Sequence, residues 1–109
     1  MSFVVDVSAD FKREFKRLGR KYPSLRDDLS ELILHLEQAP HQGDALGQGC
    51  YKVRMAIRSK GQGKSGGARV ITCVVAIREK VYLLSIYDKS EHSTLTKERL
   101  QHLLDRIDP

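Results

Sequence analysis

At 109 residues, with 40% hydrophobic and 30% charged side chains, the chain has the composition of a single globular domain over residues 1–109 and leaves little room for a second one. No apolar run has signal-peptide form or the length to cross a bilayer, so a cytoplasmic protein without a membrane partner is expected. The net charge of +5 is unevenly spread: residues 45–78 hold seven basic side chains and no Asp or Glu, while the other residues carry twelve basic against fourteen acidic, and an anionic partner is the economical inference.

Phe3, Val5 and Val7 alternate with Ser2, Val4 and Asp6, which predicts a short strand running into Ser8 and Asp10, either of which can cap a helix. Phe11, Phe15, Leu18 and Tyr22 recur at helical period, and Gly19 with Pro23 ends that helix near residue 21. Ser24 stands three residues before Asp27 in a variant capping box, and Leu25, Leu29, Leu32, Ile33 and Leu36 form the apolar stripe of a second helix reaching about Gln38. The two should pack as a helical hairpin that is plain core scaffold.

Residues 40–49, with Pro40, Gly43 and Gly47, read as a loop. The period then changes to two, with Tyr51, Val53, Met55 and Ile57 on one face and Lys52, Arg54, Ala56 and Arg58 on the other, so one strand is expected to present three cations in a row. Residues 61–67 contain four glycines and form a flexible connection. Residues 69–77 are nearly continuous in β-branched and apolar side chains, as in a central strand. A turn at residues 78–80 leads to a third strand over residues 81–87. The last helix starts at Thr96, with Leu95 and Leu100 as a hydrophobic staple and Leu100, Leu103, Leu104 and Ile107 as its buried stripe. The expected fold is α+β, in the order β-α-α-β-β-β-α, with helices on one face of an antiparallel sheet and the other face open.

Several chemistries find no support in the sequence. Gly63-Lys64-Ser65 is not a Walker A loop, because Arg58 stands where the first glycine is needed and a strand follows. His35, His41, His92 and His102 show no ligand spacing, no nucleophile elbow is present, and neither a metal nor another cofactor is expected. Cys50 and Cys73 lack CxxC or Cys/His spacing and read as reduced, small strand residues. The low aromatic content argues against extensive base stacking. What remains is the basic strand face of Lys52, Arg54 and Arg58, with Arg69 opening the neighbouring strand. From charge alone it reads as a binding patch, although such a cluster can also stabilise a pentacovalent phosphorane.

The run Tyr51-Lys-Val-Arg, the segment Ser59-Lys-Gly-Gln-Gly-Lys-Ser-Gly-Gly-Ala-Arg-Val-Ile and the segment Tyr82-Leu-Leu-Ser-Ile-Tyr-Asp-Lys-Ser-Glu resemble the RelE/HigB-type branch of the RelE/ParE toxins of type II toxin-antitoxin systems. The resemblance implies a compact sheet with an N-terminal helical hairpin and a C-terminal helix. It also implies cleavage of messenger RNA in the ribosomal 30S A site and neutralisation by a cognate antitoxin protein. By position it implies that Lys52 and Arg54 work on the scissile phosphate and in proton transfer, that Arg69 binds phosphate, and that Lys89 assists the leaving group or contacts phosphate. Lys60 and Lys64 resemble loop residues that contact RNA, and Arg58, which extends the basic row, is expected to bind RNA beside them. RelE itself carries a tyrosine near the start of its last element where this chain has Leu95, so Tyr87 or His92 is a candidate for the stacking or acid/base group. ParE-like relatives, which inhibit DNA gyrase by binding, and an inactive nucleic-acid-binding relative are the alternatives, since fold alone does not fix function.

Overall fold

A computed structural model describes residues 2–91 and 95–107. Strand β1 (Val4–Val7) passes into helix α1 (Ala9–Gly19) at Ser8, whose hydroxyl accepts the Phe11 amide at 3.0 Å, so Ser8 is the cap. Asp10 instead turns inward, where its buried carboxylate takes Arg13 at 2.8 Å and Arg106 at 2.7 Å. Helix α2 (Leu25–Gln38) lacks the expected capping box. Ser24 has helical backbone angles and makes no side-chain cap bond, because its hydroxyl is taken by Asp28 at 2.7 Å and Ser59 at 2.9 Å.

Five strands form one sheet in the order β1-β5-β4-β3-β2, where β2 is Asp44–Gly47, β3 Cys50–Met55, β4 Ala68–Val75 and β5 Lys80–Asp88. β2 lies in the stretch expected to be a loop. It has no alternating apolar pattern of its own and exists by pairing with β3. Gly43 lets the chain approach there, since at φ +90° an added Cβ would lie 2.3 Å from the Lys52 carbonyl oxygen. The sheet is mixed rather than wholly antiparallel, because β1 joins β5 in parallel and only the other pairings are antiparallel.

The sheet separates two cores. Phe11, Leu18, Leu25 and Leu36 of the hairpin meet Val53, Met55, Val70 and Leu83 on one face. On the other, helix α3 (Lys97–Asp105) lays Leu100 and Leu103 against Cys50, Ile71, Cys73, Tyr82, Leu84 and Tyr87. The second face is thus partly covered by α3 instead of being left open. α3 is tied to α1 through Arg106–Asp10 and through Arg99–Glu14 at 3.8 Å. The expected helical hairpin and C-terminal helix of an α+β fold are both present. Among the described residues, no helix is long and apolar enough to cross a membrane.

Candidate nucleic-acid interface

Period-two alternation places Val53 and Met55 in the hairpin core, and therefore turns Lys52 and Arg54 to the face that α3 only partly covers. The β3–β4 register sets Arg54 opposite Arg69 and Lys52 opposite Ile71. The Val74 amide bonds to the Gly49 carbonyl at 2.8 Å, which fixes the phase of the ladder. Hydrogen-bonded pairs then fall at Gly49, Tyr51, Val53 and Met55, and Arg54–Arg69 is a non-hydrogen-bonded pair whose Cα atoms approach to about 4.5 Å. On the next strand Arg69 faces Tyr87, so Arg54, Arg69 and Tyr87 make one row across three strands. Lys89 lies two residues beyond Tyr87, with its amide on the Gly67 carbonyl at 3.1 Å.

Two arginines in the closest register repel each other by about 0.2–1 kcal/mol in an ordinary sheet. Here nothing neutralises them: among the described residues, Lys52, Arg54, Lys64, Arg69 and Lys89 make no ion pair with a carboxylate. Arg69 is buried, and its guanidinium donates to the carbonyls of Lys64 at 3.0 Å, Ala68 at 3.1 Å and Ser65 at 3.3 Å. Backbone oxygens orient that group without cancelling its charge. Burial pushes the Tyr87 phenol up, with Arg69 pulling partly against it, so Tyr87 is a proton-bearing group beside the arginines at neutral pH.

The expected row of cations breaks after Arg54. Arg58 does not extend it, because β3 ends at Met55 and Arg58 begins a short 3-10 turn (Arg58–Lys60), where it pairs with Asp28 at 2.8 Å and Glu31 at 3.7 Å. Lys60, expected to reach RNA, is turned inward onto buried Asp88, with its ammonium 2.7 Å from the carboxylate. Lys64 alone of the three expected RNA contacts is both exposed and unpaired among the described residues. His92 lies outside the described residues.

Asp88 and Tyr22 join this site without any local sequence pattern that pairs them. The Tyr22 hydroxyl donates to one Asp88 oxygen, while Lys60 and the Ser90 amide and hydroxyl donate to the other. Burial would raise the Asp88 carboxyl, but these donors outweigh it and hold it well below the usual carboxylate range. An acid closing an otherwise apolar strand was the available signal. Cys50 and Cys73 face each other across β3 and β4 as buried free thiols. Among the described residues, no cluster of His, Cys, Asp or Glu could hold a metal ion.

The fold has known counterparts. A free double arginine-to-alanine mutant of E. coli toxin RelE matches with a TM-score of 0.66 at 18% identity, covering 99% of this chain and 100% of that one. A chain of the intact E. coli RelBE toxin-antitoxin complex matches with a TM-score of 0.61 at 18% identity, covering 80% and 96%. A chain of the Mycobacterium tuberculosis RelBE2 toxin-antitoxin complex matches with a TM-score of 0.58 at 13% identity, covering 81% and 99%. At these identities the structures speak for the fold. The family model described as the RelE toxin of the RelE / RelB toxin-antitoxin system matches residues 11–105, and the chain belongs to that toxin family.

Proposed function

We propose that this chain is the toxin of a type II toxin-antitoxin pair and acts as a ribosome-dependent, metal-independent endoribonuclease on messenger RNA in the 30S A site. The observation that carries this reading is the Arg54–Arg69 pair, two cations held face to face with no described carboxylate between them. An arrangement that costs stability in the free protein suits a site whose missing counter-charge arrives with the substrate, here a phosphodiester.

In the proposed reaction the ribose 2′-oxygen attacks the adjacent phosphorus and the bond from phosphorus to the 5′-oxygen breaks. The products are a 2′,3′-cyclic phosphate and a 5′-hydroxyl. A guanidinium keeps its proton throughout the physiological range, so Arg54 and Arg69 serve charge while Lys52, two residues from Arg54 on the same strand, assists loss of the 2′ proton. Lys89 or the Tyr87 phenol supplies the proton to the leaving 5′-oxygen. Lys64, on the exposed loop, follows the RNA backbone. A cognate antitoxin is part of the same proposal, supported by the likeness to chains found in RelB-type toxin-antitoxin complexes.

Induced expression in a bacterial host, with mapping of transcript 5′ ends, tests the reading. New ends inside translated codons are expected. Growth arrest with intact transcripts and damaged DNA would move the case to a gyrase poison, and unaffected growth to an inactive relative.

A further inference from the structure

We propose that Lys60, Asp88 and Tyr22 form a buried clamp that fixes the glycine-rich loop, and through it the Arg69 guanidinium, in working position. Lys60 is then a positioning residue and not an RNA contact. The inference rests on the nuclease reading above.

The Lys60 side chain is only 13% exposed, its ammonium lies 2.7 Å from Asp88 Oδ1, and the same nitrogen is 5.8 Å from the centre of the Tyr22 ring. A lysine held this way cannot also reach a phosphate. Its partner stands one residue from Tyr87 and opposite Ala68 in the β4–β5 register, beside Arg69. Lys60 begins the connection that carries the Lys64 and Ser65 carbonyls, and these orient Arg69 at 3.0 and 3.3 Å.

Between those points the chain has little stiffness of its own, with Gly61 and Gly63 both at positive φ. Of the loop's other anchors, Ser24–Ser59 and Arg58–Asp28 each have one exposed partner, Ser59 and Arg58, although Asp28 is buried, and at the far end the Gly67 carbonyl accepts the Lys89 amide at 3.1 Å. The clamp is the side-chain attachment that joins the loop to the strand that bears Tyr87. Releasing it frees the carbonyls that aim Arg69 while leaving every exposed cation in place. The expected loss is therefore in the chemical step rather than in RNA affinity.

The experiment is a double-mutant cycle of Lys60→Met, Asp88→Asn and the pair, assayed by single-turnover cleavage of messenger RNA on programmed ribosomes across a salt series. The double variant replaces both charges with neutral groups of similar size and so guards against simple unfolding. Each single variant is expected to cleave at least about tenfold more slowly with half-saturation changed less than about twofold, the double variant no worse than the poorer single, and the salt slope unchanged. A Lys60→Met protein that binds more weakly with a shallower salt slope, beside fully active Asp88→Asn, would overturn the clamp in favour of an RNA contact. A double variant cleaving at the wild-type rate would also overturn it. Should the wild-type chain not cleave, the nuclease reading fails, and amide exchange over residues 61–67 still decides the clamp. Faster exchange in the double variant supports it, and unchanged exchange refutes it.

Discussion

Replacing Arg54 with Gln should move stability and activity in opposite directions. Arg54 is exposed, has no carboxylate partner among the described residues, and faces Arg69 in the closest register of the sheet. Removing its charge relieves a like-charge cross-strand pair at about 0.2–1 kcal/mol and leaves no buried acceptor orphaned. For a domain of this size that gain is a rise in Tm of roughly 1–4 °C. The gain should shrink in high salt, where the repulsion in wild type is already screened. Cleavage should fall about 10²–10³-fold, the usual loss when one preorganised group aimed at developing negative charge is removed. Thermal melts at low and high salt beside single-turnover cleavage on programmed ribosomes measure both. A variant destabilised by more than about 1 kcal/mol, or one cleaving within about threefold of wild type, would refute the claim that this pair is held apart from counter-charge for the substrate.

Other consequences follow from the same geometry. Lys64→Gln removes an exposed, unpaired loop cation, so RNA binding should weaken and the slope of log affinity against log salt should fall by about 0.7, read from titrations between low and moderate salt. Leu103, 1% exposed on the buried face of α3, should cost about 2–5 kcal/mol in urea unfolding when changed to Ala; a loss under about 1 kcal/mol would mean α3 does not dock as described. Asp88 is held below the usual carboxylate range, so its stabilising contribution is full above the unfolded-state pKa of about 3.9 and is lost as pH falls toward the depressed folded-state value. Stability measured between pH 2 and 6 should therefore fall more steeply in wild type than in Asp88→Asn, and equal slopes would contradict the assignment.

Local patterns carried most of the fold. The helices were legible because Phe11, Leu18, Leu25 and Leu36 recur on one face of each, and β3 because strict alternation separates Val53 and Met55 from Lys52 and Arg54. β2 was not legible, since its four residues have no alternating pattern and depend on β3 for their conformation. Nor was the parallel β1–β5 pairing, a contact between opposite ends of the chain.

The candidate site divides the same way. Lys52 and Arg54 follow from the strand period, but the facing of Arg54 by Arg69 is a register fact that needs both strands. Arg58 was misplaced because the strand ends three residues before it. Lys60 looked like its exposed neighbours, and only a carboxylate 28 residues away, at the end of β5, distinguishes it. Long-range ion pairs of this kind leave no local trace in the sequence.

The most direct test of the central claim uses purified protein with messenger RNA, naked or on ribosomes programmed with a codon in the A site, comparing wild type with Arg69→Ala. Cleavage of the ribosome-bound message alone is expected, with fragments ending in a 2′,3′-cyclic phosphate and a 5′-hydroxyl and a loss of about 10²–10³-fold in the variant. An Arg69→Ala protein that cleaves as fast as wild type, or a wild type that leaves the programmed message intact, would contradict it.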